Sequence, residues 1–260
     1  MCEKILLNSK GDITYLTLNN PQKRNAFDKE MSDFIIKEIK NAESKNQRGI
    51  VINAVISNGI FSAGHDLNEL ESASDLSQDP MFEMFDSILN TNIPVIAEVD
   101  GFVFAGALHL LMVCDLVYAT KTSKIIMTAN KMGVPFSLQN YQNWLSVMGL
   151  HKIKELFYTA TPLNAEDAYN SGIFNAFLDS TDELKEKVES VCQAIISCCP
   201  VGISNSKFQL NLLANNVIVD YDSAVKIETM RNDILNSNDF IKRVDALIDK
   251  INHKKTSSGK

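Results

Sequence analysis

A nearly continuous run of β-branched and other apolar residues, at positions 50–56, most constrains how this chain can fold. Such runs are typical of strands that are covered on both faces of a parallel sheet. The stretch FSAGHDLNEL follows at 61–70, where small residues around Gly64 precede a pattern fit to begin a helix. A strand, a tight turn and a helix start bring several backbone N–H groups to one point. We therefore expect an α/β fold in which this turn can hold a developing negative charge.

A second turn of small residues occurs at 101–107, after the apolar run PVIAEV at 94–99. A helix is predicted from Gly106 onwards, so this turn also lies between a strand and a helix. Strands and helices alternate up to about Gly133, which indicates βαβ-like units. Beyond it the pattern is mostly helical. We expect a core domain at 1–199 and a helical C-terminal region at 200–260.

Composition excludes several classes of protein. The net charge is −7, so a broad basic surface for nucleic acid is not expected. The five cysteines are odd in number and form no CxxC spacing, which argues against a disulfide framework and a zinc site. No apolar run approaches the length of a membrane span, and no signal peptide is visible. We expect a cytoplasmic protein without membrane partners.

Common catalytic signatures are also missing from the sequence. It contains no GxSxG elbow, no GxxxxGK[ST] loop and no GxGxxG motif. Its four histidines have no companion ligands at metal-binding spacing, so no metal site is expected. Two of them, His65 and His109, lie at or just after the two small-residue turns. The turns themselves are therefore the candidate site.

A cationic pair, Lys23 and Arg24, precedes a helix for which Asp28 is a suitable N-cap. Cations are not needed at a helix N-terminus, so contact with a phosphate is one reasonable use of the pair. A solvated charge pair is the other, and spacing alone favours it.

Four segments together carry a resemblance to a known family. They are NNPQKRNAF at 19–27, FSAGHDLNEL at 61–70, PVIAEVDGFVFAGALHLLMVCDLVYAT at 94–120 and FYTATPLNAEDAYNSGIFN at 157–175. The chain resembles the crotonase, or enoyl-CoA hydratase/isomerase, superfamily over nearly its whole length. The resemblance implies an α/β crotonase (ClpP-like) spiral of ββα units with a helical C-terminal trimerisation region. It also implies a homotrimer or a hexamer.

The resemblance implies a site for an acyl-CoA thioester, with no cofactor beyond the coenzyme A of the substrate. The backbone N–H groups of His65 and Gly106 would hold the thioester oxygen as an enolate forms. Contacts with coenzyme A are implied for Lys23, Arg24, Ala26, Ala63, Asp66, Leu67 and Lys250.

The residues expected to move protons depart from the hydratase pattern. Hydratases of this family place one glutamate three residues after the oxyanion-hole glycine, where this chain has His109. The other corresponds to Ala129, four residues before Gly133. Without both carboxylates, ordinary hydration is disfavoured.

Decarboxylation of a malonyl-type thioester needs no base to remove a proton from carbon. The segment GVPFSLQNYQNW at 133–144 and His65 most resemble the branch of the family that decarboxylates methylmalonyl-CoA. That branch implies a tyrosine where this chain has Phe136, which would be part of the catalytic site.

Two questions stay open at this level. His109 is either a general acid or base facing the acyl group or a packed helix histidine with a satisfied hydrogen bond. The chain is accordingly a decarboxylase, a hydratase or isomerase that uses His109, or a non-catalytic acyl-CoA-binding homologue.

Overall fold

The structure, a computed structural model, describes residues 2–66, 80–129 and 138–215 and the isolated positions Thr229, Asn238 and Lys242. Leu67, Phe136 and Lys250, three of the predicted site residues, lie outside this part of the chain. The protein divides into two compact units, Met1–Ile196 and Ser197–Lys260. The predicted division at residue 199 falls close to this boundary and stays a prediction.

The first unit alternates strands and helices. The strands are β1 (Ile5–Lys10), β2 (Ile13–Leu18), β3 (Gly49–Ala54), β4 (Ile60–Ser62), β5 (Val95–Val99), β6 (Phe102–Phe104), β7 (Leu116–Thr120), β8 (Lys124–Ile126), β9 (Leu163–Asn164) and β10 (Ala176–Leu178). The helices are α1 (Lys29–Ser44), α2 (Pro80–Asn90), α3 (Gly106–Val113), α4 (Leu138–Val147), α5 (Leu150–Thr159), α6 (Ala165–Asn170) and α7 (Thr181–Ser197). The helix α8 (Pro200–Asn215) belongs to the second unit.

The strands form two sheets, and the chain visits them in turn. One sheet has the order β1-β2-β3-β5-β7-β10, and the other has the order β4-β6-β8-β9. Consecutive strand pairs, β3 with β4, β5 with β6 and β7 with β8, send one strand into each sheet. A helix follows each of the first two pairs. The expected spiral of ββα units is therefore confirmed.

The apolar run at 50–56 is not one strand leading into the glycine turn. Its first part belongs to β3, which is buried between β2 and β5. Val55 and Ile56 are exposed, and the strand that enters the turn is the separate β4. A run of β-branched residues does not reveal where a chain leaves one sheet for another, because both segments satisfy the same pattern.

Local signals predicted several other elements correctly. The side chain of Asp28 accepts a hydrogen bond from the backbone N–H of Met31, so it caps α1 as expected. The helix predicted from Gly106 is α3, and all eight of its residues are buried. Among the described helices, none is long and apolar enough to cross a membrane.

The loop before α1 is tied to the glycine turn by Asn25, which is fully buried in a left-handed backbone conformation. Its side-chain amide donates to the carbonyl oxygens of Val55 and Phe61, at 3.0 Å each. Its side-chain oxygen accepts from the N–H of Asn20 at 2.8 Å. Asparagine fits here because it tolerates positive φ and offers both donors and acceptors.

Replacing Asn25 by alanine should therefore strongly lower the free energy of unfolding. Asn58 is the matched control, since it has nearly the same positive φ (53° against 52°) but is exposed. Asn58→Ala should lose only the stability that depends on the left-handed backbone, whereas Asn25→Ala also leaves buried backbone groups without hydrogen bonds. We expect Asn25→Ala to cost about 2–4 kcal/mol more, as measured by denaturant unfolding. Equal losses in the two variants would contradict the network.

Candidate active site

The first turn of the site runs from Ser62 to Asp66, at the end of β4. The Ser62 hydroxyl donates to the carbonyl oxygen of Asn25 at 2.7 Å and accepts from the N–H of Gly64 at 3.1 Å. Gly64 has φ +85°, a conformation that side chains disfavour. The serine and the glycine together hold the main chain in a tight bend.

Beyond the bend, His65 forms a parallel bridge with Phe27. The N–H of Phe27 donates to the carbonyl oxygen of Gly64 at 2.7 Å. The N–H of Asp66 donates to the carbonyl oxygen of Phe27 at 2.8 Å. Because extended backbone alternates direction from residue to residue, the N–H of His65 points away from Phe27. It lies beside the Cα of Gly106: a Cβ built there would be 3.3 Å from the His65 nitrogen.

The second turn joins β6 to α3 through Ala105. This residue has φ 39° and ψ −107°, a strained conformation for any residue with a Cβ. Its N–H donates to the carbonyl oxygen of Ile126 at 3.0 Å, which anchors the turn to β8. Gly106 is the first residue of α3, so its N–H has no acceptor within the helix. The unusual ψ of Ala105 therefore sets the direction of that N–H.

The two turns meet at very short range. A Cβ on Gly64 would lie 2.8 Å from the nitrogen of Gly106 and 2.8 Å from the carbonyl oxygen of Phe104. Only glycine allows this approach. The predicted pair, His65 and Gly106, is thus brought together, and its role as the two donors of an oxyanion hole stays a prediction. The imidazole of His65 is turned to its own segment, since Nδ1 lies 2.8 Å from the carbonyl oxygen of Asp66.

The described residues among those predicted to contact coenzyme A lie together, in the loop before α1 and in the first turn. The N–H of Ala63 donates to the carbonyl oxygen of Arg24 at 2.9 Å. Lys23 and Asp66 form an ion pair at 2.6 Å, in which the lysine is half exposed and the carboxylate is 7% exposed. This pair raises the pKa of Lys23. Ala26 is buried in the same loop.

His109 lies one turn along α3 from Gly106 and is only 3% exposed. Its ring packs edge-on against Phe85 of α2 and Trp144 of α4, with centroids 4.6 Å and 5.7 Å apart. Its Nε2 lies 2.8 Å from the side-chain amide nitrogen of Asn140. Burial lowers the pKa of His109 to about 3, because the interior disfavours the imidazolium. At neutral pH this histidine is uncharged.

This environment disfavours the general acid or base among the two interpretations left open by the sequence, and among the described residues only Nε2 of the ring has a hydrogen-bond partner. A side chain with so low a pKa does not titrate near neutrality. Ala129, at the other position where hydratases carry a carboxylate, is buried in the hydrophobic core. Among the described residues, no three His, Cys, Asp or Glu side chains converge on a possible metal position.

Three residues of the site were missed from the sequence. Asn25 and Ala105 shape the turns; asparagine tolerates positive φ but also occurs elsewhere, and alanine gives no signal of it. Asn140 reaches His109 from a helix that is distant in sequence. Only the spacing of Asn140 and Trp144, which are four residues apart on α4, hints that they share a face.

Comparisons with known proteins agree with this geometry. Residues 8–243 match the family described as Enoyl-CoA hydratase/isomerase. The chain is 30% identical to methylmalonyl-CoA decarboxylase of Escherichia coli (strain K12) over 92% of each chain. It is 26% identical to short-chain-enoyl-CoA hydratase of Clostridium acetobutylicum over 86% of each. A solved structure of methylmalonyl-CoA decarboxylase complexed with 2S-carboxypropyl CoA superposes with a TM-score of 0.79 at 28% identity, covering 96% of this chain and 97% of the other.

Gly64→Ala should abolish the function of the two turns. The new methyl group would press on the backbone of Gly106, in addition to the strain of φ +85°. Gly11→Ala is the control: Gly11 has φ +59°, but a Cβ there meets nothing within 4 Å. Both variants should lose about 1–2 kcal/mol of stability from the backbone conformation. Only Gly64→Ala should lose about 100-fold or more in the turnover of a thioester. Similar turnover in the two variants would show that the approach of the turns is unimportant.

His109 should make folding sensitive to acid. The unfolded chain takes up a proton at this histidine below about pH 6.5, whereas the folded protein does so only near pH 3. The contribution of His109 to the free energy of unfolding is therefore complete above about pH 6.5 and is lost as the pH falls towards 3. Replacing His109 by glutamine should flatten this fall by up to about 1.4 kcal/mol per pH unit, as measured by denaturant unfolding between pH 6.5 and 4.5. The exposed His151, replaced likewise, is the control. An unchanged slope in His109→Gln would show that the histidine is protonated in the fold.

Proposed function

The chain belongs to the enoyl-CoA hydratase/isomerase family, and from this premise we propose that it decarboxylates a short malonyl-type thioester of coenzyme A. Methylmalonyl-CoA and malonyl-CoA are the first candidates. The observation that carries the proposal is the replacement of both hydratase carboxylates. A neutral, buried imidazole occupies one position, and a core alanine occupies the other.

In the proposed reaction, the bond between Cα and the carboxylate breaks and CO2 leaves. The two electrons of that bond move through Cα into the thioester carbonyl, which becomes an enolate oxygen. The N–H groups of His65 and Gly106 stabilise this oxygen, and their stabilisation grows as charge arrives there. Cα then takes a proton from water, which yields propionyl-CoA from methylmalonyl-CoA and acetyl-CoA from malonyl-CoA.

This reaction needs little from the protein beyond donors for the enolate oxygen and an orientation for the carboxylate. The carboxylate must stand perpendicular to the thioester plane, so that the breaking bond overlaps the carbonyl π system. No side chain has to accept a proton from carbon. Apolar surroundings promote the loss of CO2, since they disfavour the localised charge of the carboxylate more than the delocalised charge of the enolate. The rings of Phe85 and Trp144, beside His109, are apolar groups of this kind.

Hydration or isomerisation through His109 is less well supported. A histidine with a pKa of about 3 is a weak base when neutral, and at pH 7 almost none of it carries the acidic proton. The similarity to a short-chain-enoyl-CoA hydratase does not outweigh the low pKa of His109, because that relative is 26% identical and the decarboxylase is 30% identical. An acyl-CoA-binding protein without catalysis is the remaining alternative, and it predicts tight thioester binding without turnover.

Several expectations belong to this proposal. Lys23 and Arg24 would contact the phosphates of coenzyme A. Lys23 would do so while it is also ion-paired with Asp66. The substrate would bring its own coenzyme A, and no other cofactor is needed for the chemistry. Assembly as a homotrimer or hexamer and a cytoplasmic location stay predictions.

The purified protein should release CO2 from methylmalonyl-CoA or malonyl-CoA, with matching formation of propionyl-CoA or acetyl-CoA followed by mass spectrometry. Crotonyl-CoA, assayed in parallel, should not be hydrated, since no carboxylate is placed to activate water. Gly64→Ala serves as the inactive control for any turnover observed. Hydration of crotonyl-CoA that disappears in His109→Ala would instead support a hydratase. Binding of all three thioesters without products would support the non-catalytic homologue.

A further inference from the structure

The imidazole of His109 is held by side chains from two neighbouring helices. Phe85 of α2 packs against it from one side, while Trp144 and Asn140 of α4 contact it from another. His109 and Asn140 are both almost completely buried, at 3% and 2% exposure. A ring gripped in this way has little freedom to turn, so the positions of its two nitrogens are well defined.

The contact with Asn140 determines which nitrogen carries the proton. The amide nitrogen of asparagine donates hydrogen bonds and cannot accept them. At 2.8 Å from Nε2, it therefore requires a lone pair on that ring nitrogen. His109 is neutral at physiological pH, so its single ring proton lies on Nδ1.

Nδ1 is buried and has no hydrogen-bond partner among residues 2–66, 80–129 and 138–215. A buried N–H donor without an acceptor is costly and uncommon in folded proteins. Such a group calls for an acceptor from outside the described structure. A ligand in the adjacent site can supply one.

The layering of α2 and α3 places this donor next to the oxyanion hole. Met81 lies near the Cα of Gly106, since a Cβ built on that glycine would be 3.4 Å from the methionine Cε. Phe85 is one turn further along α2 and contacts His109, which is one turn along α3. The His109 layer thus adjoins the layer that holds the Gly106 N–H. A substituent on Cα of a thioester bound at that N–H would extend from the Gly106 layer towards the His109 layer.

We propose that the Nδ1–H of His109 binds the α-carboxylate of the acyl group, and that Asn140 is the positioning residue that keeps the proton on Nδ1. This inference rests on the proposed function and specifies its substrate class as thioesters with an anionic α-substituent. A neutral donor suits decarboxylation. It orients the carboxylate, whereas a fixed cation would stabilise the very charge that must leave.

Binding of two stable thioethers tests the role of His109. 2-Carboxypropyl-CoA carries the carboxylate but has no thioester carbonyl and does not lose CO2, and propyl-CoA is its uncharged counterpart. The wild-type protein should bind the carboxylated probe more tightly, as measured by calorimetry. His109→Phe keeps an aromatic ring between Phe85 and Trp144 but removes the donor. It should lose about 10- to 100-fold in affinity for 2-carboxypropyl-CoA and little for propyl-CoA.

The nuclear magnetic resonance spectrum of ¹⁵N-histidine-labelled protein tests the tautomer without any change to the ring. His109 should show a protonated Nδ1 and an unprotonated Nε2, and the Nδ1–H signal should move downfield with 2-carboxypropyl-CoA but not with propyl-CoA. Asn140→Leu should mix the two tautomers and reduce the preference for the carboxylate. A packing role alone would not change the tautomer.

Equal affinity of wild type and His109→Phe for 2-carboxypropyl-CoA, or a proton on Nε2 in the wild type, would overturn the inference. These results are separable from the proposed function. If CO2 is released and His109→Phe keeps the carboxylate preference, decarboxylation stands and the role of His109 falls. If no thioester is decarboxylated but the preference depends on His109, the site binds carboxylated acyl groups without turning them over.

Discussion

The contact between the main chains at Gly64 and Gly106 is the constraint on which the rest of the site depends. A Cβ on Gly64 would lie 2.8 Å from the Gly106 nitrogen, so there is no room for a side chain between the two turns. The parallel pairing of β4 with β6 brings the strands before these turns side by side. Asn25 fixes the first turn from outside, and the strained Ala105 fixes the second. The left-handed Asn25 and the strained Ala105 are thus both explained by the close approach of Gly64 and Gly106.

A site built in this way handles charge with backbone dipoles rather than with ionised side chains. The donors at His65 and Gly106 are uncharged, as is His109 beside them. The described ion pair of the site, Lys23 with Asp66, lies at its exposed edge, where coenzyme A is expected. In the proposed reaction, the negative charge arrives with the substrate. Preorganised donors need not rearrange when charge moves onto the oxygen, which is the source of their effect on rate.

The sequence predicted the elements whose signals are local. The cap at Asp28 and the burial of α3 follow from residue types within a few positions. The two-sheet spiral came from the resemblance, because nothing in the apolar run at 50–56 shows that Ile60 starts a strand of another sheet. For Asn140 the sequence offered only its four-residue spacing from Trp144 on α4. Its contact with His109 spans 31 positions and depends on how α3 and α4 pack.

The identity of residue 109 alone does not tell what it does. An exposed histidine at the same position would titrate near pH 6.5 and could exchange protons with a substrate. Phe85 and Trp144 remove water from the ring, and that desolvation favours the neutral form. Without a group that gains or loses protons, an oxyanion hole can still form an enolate if a bond other than C–H breaks at Cα. Under the proposed function, the aromatic packing around this one side chain removes a proton-transfer group and leaves a site suited to the loss of CO2.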